Sequence, residues 1–312
     1  MYLLKLSLDH PEIGEEEVKQ LLKPKNLSKI ANFLIADIDD LKYCSRLAYI
    51  HSVYEILFTA NDENLRLKTS FHNWSKYKGS FAVRCSDKNI EREIALLIYN
   101  QIKKSRKPNV NLEKPDNKFE VIQLGSKYYL AKHVLDTDKS YLEHFGRHRP
   151  AKHPTTMDPK LSRACINLTG LTEGNLLDLF CGSGGILIEA GFLGFKVTGY
   201  DLDKYVLNKA KINLKFYKIK NATLEVKDAL KIDKKFDTVV TDLPYGKSTK
   251  LFERTLLSLY NKFFKIIKKY VKNKIVVILP SNINYKPPHF KVIKKFTFYL
   301  NKSLSKKVYL LQ

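Results

Sequence analysis

The sequence predicts an α/β protein in which an open, mostly parallel sheet with helices on both faces follows smaller α+β domains. Its 312 residues, 44% of them hydrophobic, suffice for more than one hydrophobic core. From Asp158 onward, hydrophobic strands alternate with amphipathic helices, which is the rhythm of a parallel sheet. Before Asp158, short strands and helices surround a hairpin signal at Gly125-Ser126, which favours antiparallel pairing.

The sequence of the amino-terminal half predicts two α+β segments and a linker. Within residues 1–60 the hydrophobic periodicity predicts strands at 2–8, 33–38 and 53–58 and helices at 15–22 and 41–48. Within residues 61–143 it predicts a strand at 80–84, a helix at 90–103, an extended stretch at 110–116, and strands at 119–123 and 128–132. Residues 144–157 are rich in His, Arg and Pro, and we interpret them as the linker to a third domain at 158–312.

The carboxy-terminal half predicts the parallel sheet itself. Its strands are expected at 175–180, 196–200, 222–226, 238–241 and 275–279, with helices between most of them. Two further extended runs, 290–300 and 306–311, are joined by residues 301–305. This hairpin is expected to add an antiparallel edge to the sheet.

The net charge of +23 points to a polyanionic partner. Residues 71–170 carry +9 and residues 247–312 carry +15. The segments 1–70 and 171–246 are close to neutral, at −2 and +1. Because Lys and Arg that neutralise phosphates release counterions, nucleic acid is the leading partner, against the alternative of a lysine-rich protein whose charge only keeps it in solution.

Hydropathy and cysteine spacing indicate a cytoplasmic protein that does not enter a membrane. After the apolar residues at 2–8, the longest apolar run is Ile275–Leu279, which is far too short to span a bilayer. The cysteines at 44, 85, 165 and 181 include no pair at metal-binding spacing, so we expect free thiols, a reducing compartment and no metal.

A glycine loop marks the expected ligand site. Residues 176–190 read as a hydrophobic strand, a tight glycine turn and a helix, so the loop lies where open α/β sheets bind ligands. Gly182 and Gly184 are expected to let a ligand reach the backbone, and Gly185 to let the helix pack closely. Asp201, after the second strand, is placed to accept hydrogen bonds from two ribose hydroxyls. Asp228, after the third strand, could accept a hydrogen bond from an exocyclic amine.

Three ligands compete for this adenosine pocket. A dinucleotide fingerprint requires a third glycine at position 187, which is Leu. A phosphate-binding loop ending at Gly246-Lys-Ser-Thr249 requires a glycine where Thr241 stands. S-adenosylmethionine remains, because the Asp178 carboxylate just before the loop favours a cationic ligand; the alternative is a structural turn with Asp178 as a buried acceptor.

A second motif, Asp242-Leu-Pro-Tyr245, ends the fourth strand beside this pocket. The Asp242 carboxylate and the Leu243 carbonyl can accept the two N–H groups of a base amine, Pro244 fixes the turn, and Tyr245 offers a stacking face. Such a site is suited to methylating an exocyclic amino group. The alternative is an ordinary strand-end turn with a solvated Asp and a core Tyr.

These residues resemble a known family. Asp178-Leu-Phe-Cys-Gly-Ser-Gly-Gly185, Gly199-Tyr-Asp-Leu-Asp203 and Asp242-Leu-Pro-Tyr-Gly-Lys-Ser-Thr249 resemble the Rossmann-like amino-methyltransferases. Ser80-Phe-Ala-Val-Arg84 and Val110-Asn-Leu-Glu-Lys-Pro-Asp116 resemble a THUMP domain, an RNA-binding module. The combination is similar to archaeal tRNA guanine-N2 methyltransferases acting at nucleotide 10, with a ferredoxin-like segment at 1–60, a THUMP-like domain at 61–143, the linker at 144–157 and the catalytic domain at 158–312.

The resemblance implies roles for individual residues. It implies cofactor contacts at Asp178, Cys181, Gly182, Gly184, Asp201 and Asp228, with Cys181 a packing residue and not a nucleophile. It implies that residues 242–245 hold the guanine, although Leu243 stands where the family has Pro. Product and partner follow: N2-methylguanosine or the dimethylated nucleoside on tRNA, made by an enzyme acting alone, with a small auxiliary protein as the alternative.

Basic residues of both halves are the candidates for phosphate contacts. They are Arg84, Lys103, Lys104, Arg106, Lys107, Arg147, Arg149 and Lys152. The lysines at 262, 265, 268, 269 and 272 recur at helical spacing, and we interpret them as the outer face of an amphipathic helix.

Competing functions remain at this point. Another RNA guanosine, or an adenine or cytosine amino group, would use the same motif. A non-catalytic RNA-binding protein is disfavoured by the presence of every expected acid, and a nicotinamide-dependent oxidoreductase by Leu187.

Overall fold

The computed structural model describes residues 1–154, 156–245, 253–283, 285–301 and 304–312. The chain divides into two compact units. The first comprises Met1–Pro11, Pro24–Ser45 and Ile50–Thr137, and the second comprises Glu12–Lys23, Arg46–Tyr49 and Asp138–Gln312.

The first unit is built on one seven-stranded sheet. Its strands are β1 (Tyr2–Leu6), β2 (Leu27–Ile30), β3 (Phe33–Ala36), β4 (Ile50–Ala60), β5 (Phe81–Cys85), β6 (Asn117–Leu124) and β7 (Lys127–Asp136). They lie in the order β2-β3-β1-β4-β7-β6-β5, and every neighbouring pair is antiparallel except β5 and β6. Strands of residues 1–60 and of residues 61–143 therefore share one sheet through β4 and β7, and Gly125, at a φ of +63°, lies in the turn of the predicted hairpin.

Two helices, α2 (Leu65–Phe71) and α3 (Lys88–Lys103), accompany this sheet. The Asp87 side chain caps α3 by accepting from the backbone N–H groups of residues 89 and 90. Ile94, Ile98 and Ile102, spaced four residues apart, are buried in the same core as Trp74. The helix predicted at 90–103 is confirmed, whereas β2 and α2 were not foreseen.

The helix predicted at 41–48 is wrong. Only a 3₁₀ turn forms there, at Cys44–Arg46. The Asp40 side chain accepts from the Lys42 N–H, a local bond that competes with helix formation. Further along, the N–H groups of Ala48 and Tyr49 donate to the buried Glu17 carboxylate at 3.0 and 2.9 Å. Tertiary hydrogen bonds thus take the place of helical ones.

The second unit carries the predicted parallel sheet. Its strands are β8 (Asn175–Asp178), β9 (Lys196–Asp201), β10 (Ala222–Val226), β11 (Thr238–Asp242), β12 (Ile275–Pro280), β13 (Val292–Asn301) and β14 (Leu304–Leu311). Its helices are α1 (Pro11–Glu17, extended by a π-helical turn at Val18–Leu22), α4 (Pro159–Leu168), α5 (Gly185–Phe192), α6 (Lys204–Phe216) and α7 (Glu253–Tyr270). The strand order is β10-β9-β8-β11-β12-β14-β13. The first five strands are parallel, and β14 pairs antiparallel with β12 and β13, which confirms the predicted fold class.

Burial in this unit follows the sheet. All six residues of β12 are buried, as expected for a central strand covered on both faces. On α7, Phe264 and Ile267 are fully buried, while Lys262, Lys265 and Lys268 are exposed. The prediction that they form the outer face of an amphipathic helix is confirmed for these three lysines, whereas Lys272, also predicted there, follows the end of α7 at Tyr270.

Residues 144–157, predicted as a linker, belong to this second unit. Short 3₁₀ turns form at Ser140–His144 and Gly146–His148. His144 and Arg149 are 3% and 2% exposed, so these two side chains of the segment pack into the unit's interior, while Arg147 and Lys152 are exposed. Within the described ranges, every helix is too short or too polar to cross a lipid bilayer.

Candidate functional site

A cavity of about 460 Å³ lies in the second unit at the carboxyl ends of β8, β9 and β11. The strand order reverses between β8 and β11, which is where open α/β sheets bind ligands. Its wall is formed by residues 153, 154, 156, 157, 178, 180–183, 185, 186, 201, 203, 206 and 242–245. The two motifs singled out in the sequence therefore line one cavity.

The glycine loop forms one side of this cavity at the start of α5. Gly182 and Gly184 have φ of +51° and +88°, the left-handed region that glycine adopts without strain. A Cβ at Gly182 would meet no atom within 4 Å, so its backbone faces open space. A Cβ at Gly184 would lie 3.3 Å from the Ala210 Cβ on α6.

The structure gives two glycines surroundings that differ from those expected. Gly184, expected to admit the ligand, allows close packing against α6 and does not line the cavity. Gly185, expected to allow helix packing, lines the cavity, and a Cβ there would lie 3.4 Å from Arg149 Nη1. The sequence could not separate these roles because both depend on neighbours distant along the chain.

Asp201 anchors the loop from the end of β9. Its Oδ2 accepts from the Gly182 N–H at 2.9 Å and its Oδ1 from the Asp203 N–H at 3.0 Å. Each carboxylate oxygen keeps a second lone pair for a ligand hydroxyl. Asp228 lies beyond β10, where its Oδ1 accepts from the Leu230 N–H at 2.9 Å, and it is not part of the cavity wall. Asp201 therefore contacts the glycine loop, whereas Asp228 lies outside the cavity wall.

Asp178 lies behind the loop at the end of β8. It is 1% exposed and lines the cavity. Its Oδ1 accepts from Thr241 Oγ1 at 2.7 Å, and burial raises the pKa of the carboxyl to about 7. A cation in the cavity would therefore favour the ionised form of this carboxyl near neutral pH.

The Asp242–Tyr245 turn forms the opposite wall. The Leu243 N–H donates to the Ile278 carbonyl at 3.0 Å and so extends the pairing of β11 with β12. Tyr260 of α7 donates its hydroxyl to the Pro244 carbonyl at 2.7 Å. The turn is therefore held from two elements, although Leu243 replaces a second proline. Residues 246–249, the remainder of the motif, lie outside the described residues.

The two oxygens of the Asp242 carboxylate differ. Oδ2 accepts from the Tyr245 hydroxyl at 2.8 Å and from Lys306 Nζ. Oδ1 is buried and has no hydrogen-bond partner among the described residues. Burial raises the pKa of Asp242, while the ammonium of Lys306 and the Tyr245 hydroxyl oppose the rise. Asp242, a residue of the cavity wall, therefore carries a buried acceptor that has no partner among the described residues.

Lys306 was missed by sequence reasoning. It lies on β14, 64 residues after Asp242, and is 5% exposed. One signal was available: Lys306, Val308 and Leu310 alternate on one face of the strand, and all three are buried. A lysine at an inward position of a core strand requires a buried partner.

Cys181 behaves as a packing residue, as predicted. It is 5% exposed, and its Sγ lies 2.8 Å from where a Cβ of Gly199 would stand. Burial raises the pKa of the thiol well above its ordinary value, which disfavours the nucleophilic thiolate. All four cysteines are free, and the described residues hold no cluster that could bind a metal.

The predicted phosphate contacts fall into three groups. Lys103, Lys104, Lys107, Arg147 and Lys152 are exposed. Arg84 and Arg106 are half-buried, and their guanidinium groups donate to backbone carbonyls, among them those of residues 83 and 79. Arg149 is 2% exposed and donates from Nε to the His144 carbonyl at 2.9 Å. The prediction that Arg149 is a surface contact is wrong, since it packs inside the second unit.

A second cavity of about 470 Å³ adjoins the first. The two share His153, Pro154, Thr156 and Met157 in their walls. Arg147 and Lys152 lie in the wall of the second cavity. Two of the exposed basic residues therefore lie beside the motif-lined site.

Comparison with known proteins gives consistent relatives. Residues 147–288 match the family model UPF0020, described as an RMKL-like methyltransferase domain. The tRNA (guanine(10)-N2)-dimethyltransferase of Methanothermobacter thermautotrophicus is 34% identical over 83% of this chain and 82% of its own. The enzyme of the same name from Pyrococcus abyssi is 32% identical over 97% and 96% of the two chains.

Among solved structures, TrmN from Thermus thermophilus matches with a TM-score of 0.54 at 17% identity. The match covers 100% of this chain and 99% of that one. At this identity the likeness supports the fold, that of a Rossmann-like methyltransferase.

Proposed function

The chain belongs to the family of tRNA (guanine(10)-N2)-dimethyltransferases, and from that membership and the cavity we propose that it methylates the exocyclic N2 of guanosine 10 in tRNA, using S-adenosylmethionine. The observation that carries the proposal concerns the Asp242 carboxylate. Its buried Oδ1 has no hydrogen-bond partner among the described residues, and Asp242 lines the same cavity as the glycine loop.

The residues of the cavity fit this cofactor. The open space at Gly182 gives an adenosyl group access to the backbone, and Asp201 has lone pairs left for two ribose hydroxyls. Asp178 supplies a carboxylate, which attracts a cation and would repel a pyrophosphate. When bound, S-adenosylmethionine supplies an electrophilic methyl group on a positively charged sulfur. Asp228 remains a candidate adenine contact, although it lies outside the cavity wall.

The substrate amine requires help because its lone pair is delocalised into the base. Asp242 Oδ1 accepts one N–H, and the Leu243 carbonyl accepts the other, so that the nitrogen lone pair is turned toward the cofactor side of the cavity. Tyr245 stacks on the base. Positioning of this kind contributes on the order of 7 kcal/mol to lowering a barrier. Asp242 stabilises the positive charge that develops on nitrogen and accepts the proton at Oδ1.

The substrate is bound through its backbone and by extrusion of one nucleotide. The five exposed basic residues, Lys103, Lys104, Lys107, Arg147 and Lys152, are proposed phosphate contacts, and the half-buried Arg84 and Arg106 remain proposals. A guanosine in a stem must be flipped to reach Asp242. The first unit serves as the RNA-binding part, and we retain the ferredoxin-like and THUMP-like division at residue 60 as a proposal.

We propose that the enzyme acts without an auxiliary protein and in the cytoplasm. Exposed basic residues in both units offer RNA contacts within the chain itself. The four free cysteines favour a reducing compartment.

The test is methylation of a defined transcript. Unmodified tRNA is incubated with the protein and labelled S-adenosylmethionine, and the nucleosides are then separated. We expect N2-methylguanosine and its dimethylated form, and neither from a transcript with adenosine at position 10. Product that persists on that transcript would identify another guanosine, methylated adenosine or cytidine would identify another base, and the absence of any methylated nucleoside would refute the function.

Asp201→Ala is expected to weaken cofactor binding by about 1 to 3 kcal/mol, through loss of charge-assisted hydrogen bonds to ribose and of the anchor at the Gly182 N–H. Calorimetry with S-adenosylmethionine measures the effect. Asp233→Ala is the control, because Asp233 pairs with Lys227 and is not part of the cavity wall. Equal affinities of the Asp201 variant and the wild type would place the ribose elsewhere.

Cofactor affinity is also expected to depend on the charge of Asp178. Because its pKa is raised to about 7, the carboxyl is mostly neutral at pH 6 and mostly ionised at pH 8. A cationic ligand favours the ionised form, so the affinity should rise about tenfold over that interval and then level off. Asp178→Asn should bind more weakly at pH 8 and lose this dependence. A wild-type profile that matches the variant's would show that Asp178 does not face the cation.

A further inference from the structure

We propose that Lys306 is a positioning residue for the amine acceptor: it holds Oδ2 of Asp242 and thereby makes Oδ1 the oxygen that receives the substrate N–H. The proposal rests on the proposed function and extends it to a residue on β14, outside both sequence motifs. Lys306 itself does not touch the substrate in this assignment. It acts through Asp242.

The geometry divides the carboxylate into a held side and a presented side. Lys306 Nζ and the Tyr245 hydroxyl both donate to Oδ2, and Lys306 Nζ also lies 5.0 Å from the centre of the Tyr245 ring. Two donors on one oxygen fix the rotation of the carboxylate about its last bond. Oδ1, buried and unpartnered among the described residues, is the oxygen left for a substrate. A base stacked on Tyr245 would thus meet the presented oxygen.

The position of Lys306 on the strand is built for this contact. The backbone of β14 pairs with β12 on one side and β13 on the other, with Lys306 opposite Pro280 and Phe298. A strand paired on both sides cannot slide without breaking two ladders. The 5% exposure of Lys306 means that its ammonium has left water, which is costly unless a buried anion compensates. Asp242 is the partner the structure provides.

Lys306 is also the source of positive charge at Asp242. The titratable groups that face this carboxylate come from several elements: Lys306 on β14, Tyr245 after β11, Tyr260 on α7, Cys165 on α4 and Asp178 on β8. Among these described groups, Lys306 alone is a cation. Asp178 carries like charge when ionised, and the remaining groups are neutral at pH 7.

The ionic state of Asp242 matters for the reaction. An ionised Oδ1 accepts an N–H bond and later the proton, whereas a protonated carboxyl has already taken up that proton. Burial raises the pKa of Asp242 even with Lys306 present; without Lys306 the rise would be less opposed, and the neutral form would persist to still higher pH. Loss of Lys306 should therefore impair methylation most at low pH.

The experiment compares Lys306→Met, Lys306→Arg and Lys307→Met in the full-length protein. Lys307 is the next residue of β14 and points to the opposite face, so it is the matched control. For Lys306→Met we expect kcat for tRNA methylation to fall about 10- to 100-fold at pH 7, with cofactor affinity changed less than twofold. The acidic limb of its pH profile should move to higher pH, so that the loss shrinks at pH 9. Lys306→Arg should recover part of the rate, and Lys307→Met should match the wild type.

A second readout is independent of methylation. Asp carboxyl carbons are labelled with ¹³C, and the Asp242 signal is assigned by its absence in Asp242→Asn. Its titration midpoint should rise in Lys306→Met and stay unchanged in Lys307→Met. A general packing defect would not move this midpoint selectively.

The outcomes separate the two proposals. An active wild type whose Lys306→Met variant shows an unshifted pH profile and an unshifted Asp242 midpoint would overturn the role of Lys306. A rate loss equal at every pH with an unshifted midpoint would also overturn it, because Lys306 would then act only in packing. If the wild type methylates no nucleoside but the Asp242 midpoint still rises in Lys306→Met, the function would be refuted and the coupling of the two side chains supported.

Discussion

Asp242→Ala should lower the rate of methyl transfer on the order of 10²- to 10³-fold, while tRNA affinity changes only a few-fold. The side chain supplies the buried Oδ1 that receives the substrate N–H and the departing proton, and removing one preorganised catalytic group of this kind typically costs 10² to 10³ in rate. Single-turnover methylation of tRNA measures the rate. Filter binding of the same tRNA measures the affinity.

This variant needs a control for folding, because it leaves the Lys306 ammonium buried without its carboxylate. Removal of one partner of a buried pair costs about 3 to 5 kcal/mol. The double variant Asp242→Ala, Lys306→Met removes both charges. It should recover stability in urea denaturation and remain inactive, and Asp242→Asn should keep the fold and lose most of the rate. A double variant that regains activity would show that Asp242 serves only to neutralise the lysine.

The sequence predicted the catalytic unit well because its signals are local. A hydrophobic strand followed by glycines, as at Leu176–Gly185, has few alternative structures, and its ligand site follows from sheet topology. The placement of Asp178, Gly182, Asp201 and Asp242 around one cavity required only that parallel strands end at the same edge. The antiparallel hairpin was predicted from two extended runs joined by only five residues, 301–305.

What the sequence could not predict depended on distant packing. Arg149 resembles its exposed neighbour Arg147 in the printed sequence, and only the path of the chain buries it. Gly184 and Gly185 are adjacent, and only α6 distinguishes their roles. Lys306 lies in a lysine-rich stretch where charge is common, so strand alternation was the one clue to its burial.

Buried charged side chains, distant along the chain, also connect elements that lead into the cavity wall. Arg163 on α4 and Glu189 on α5 are 1% and 0% exposed, and Arg163 Nε donates to Glu189 Oε2 at 3.1 Å. The other Glu189 oxygen pairs with His144, and Arg163 Nη1 donates to the Asp138 carboxylate at 2.9 Å. These contacts tie the segment that continues into the cavity wall at residues 153, 154, 156 and 157 to the helix that follows the glycine loop.

Arg163→Met is therefore expected to lower the free energy of unfolding by about 3 to 5 kcal/mol, because Glu189 keeps its buried charge and loses its guanidinium partner. Urea denaturation followed by circular dichroism measures the change, with Lys272→Met as the control. Lys272 pairs with Asp237 in an ion pair whose lysine is 57% exposed, and its loss should leave the midpoint unchanged.

The double variant Arg163→Met, Glu189→Leu distinguishes charge from packing. Replacing a buried ion pair by apolar residues of similar size is often neutral, so most of the lost stability should return. If the unpaired charge is the cause, Arg163→Met should also displace the segment that carries part of the cavity wall and so weaken cofactor binding. The double variant should then restore cofactor binding. A double variant as unstable as Arg163→Met would instead show that the shape of the guanidinium, packed over the Tyr141 ring with its centre 5.0 Å away, holds the segment.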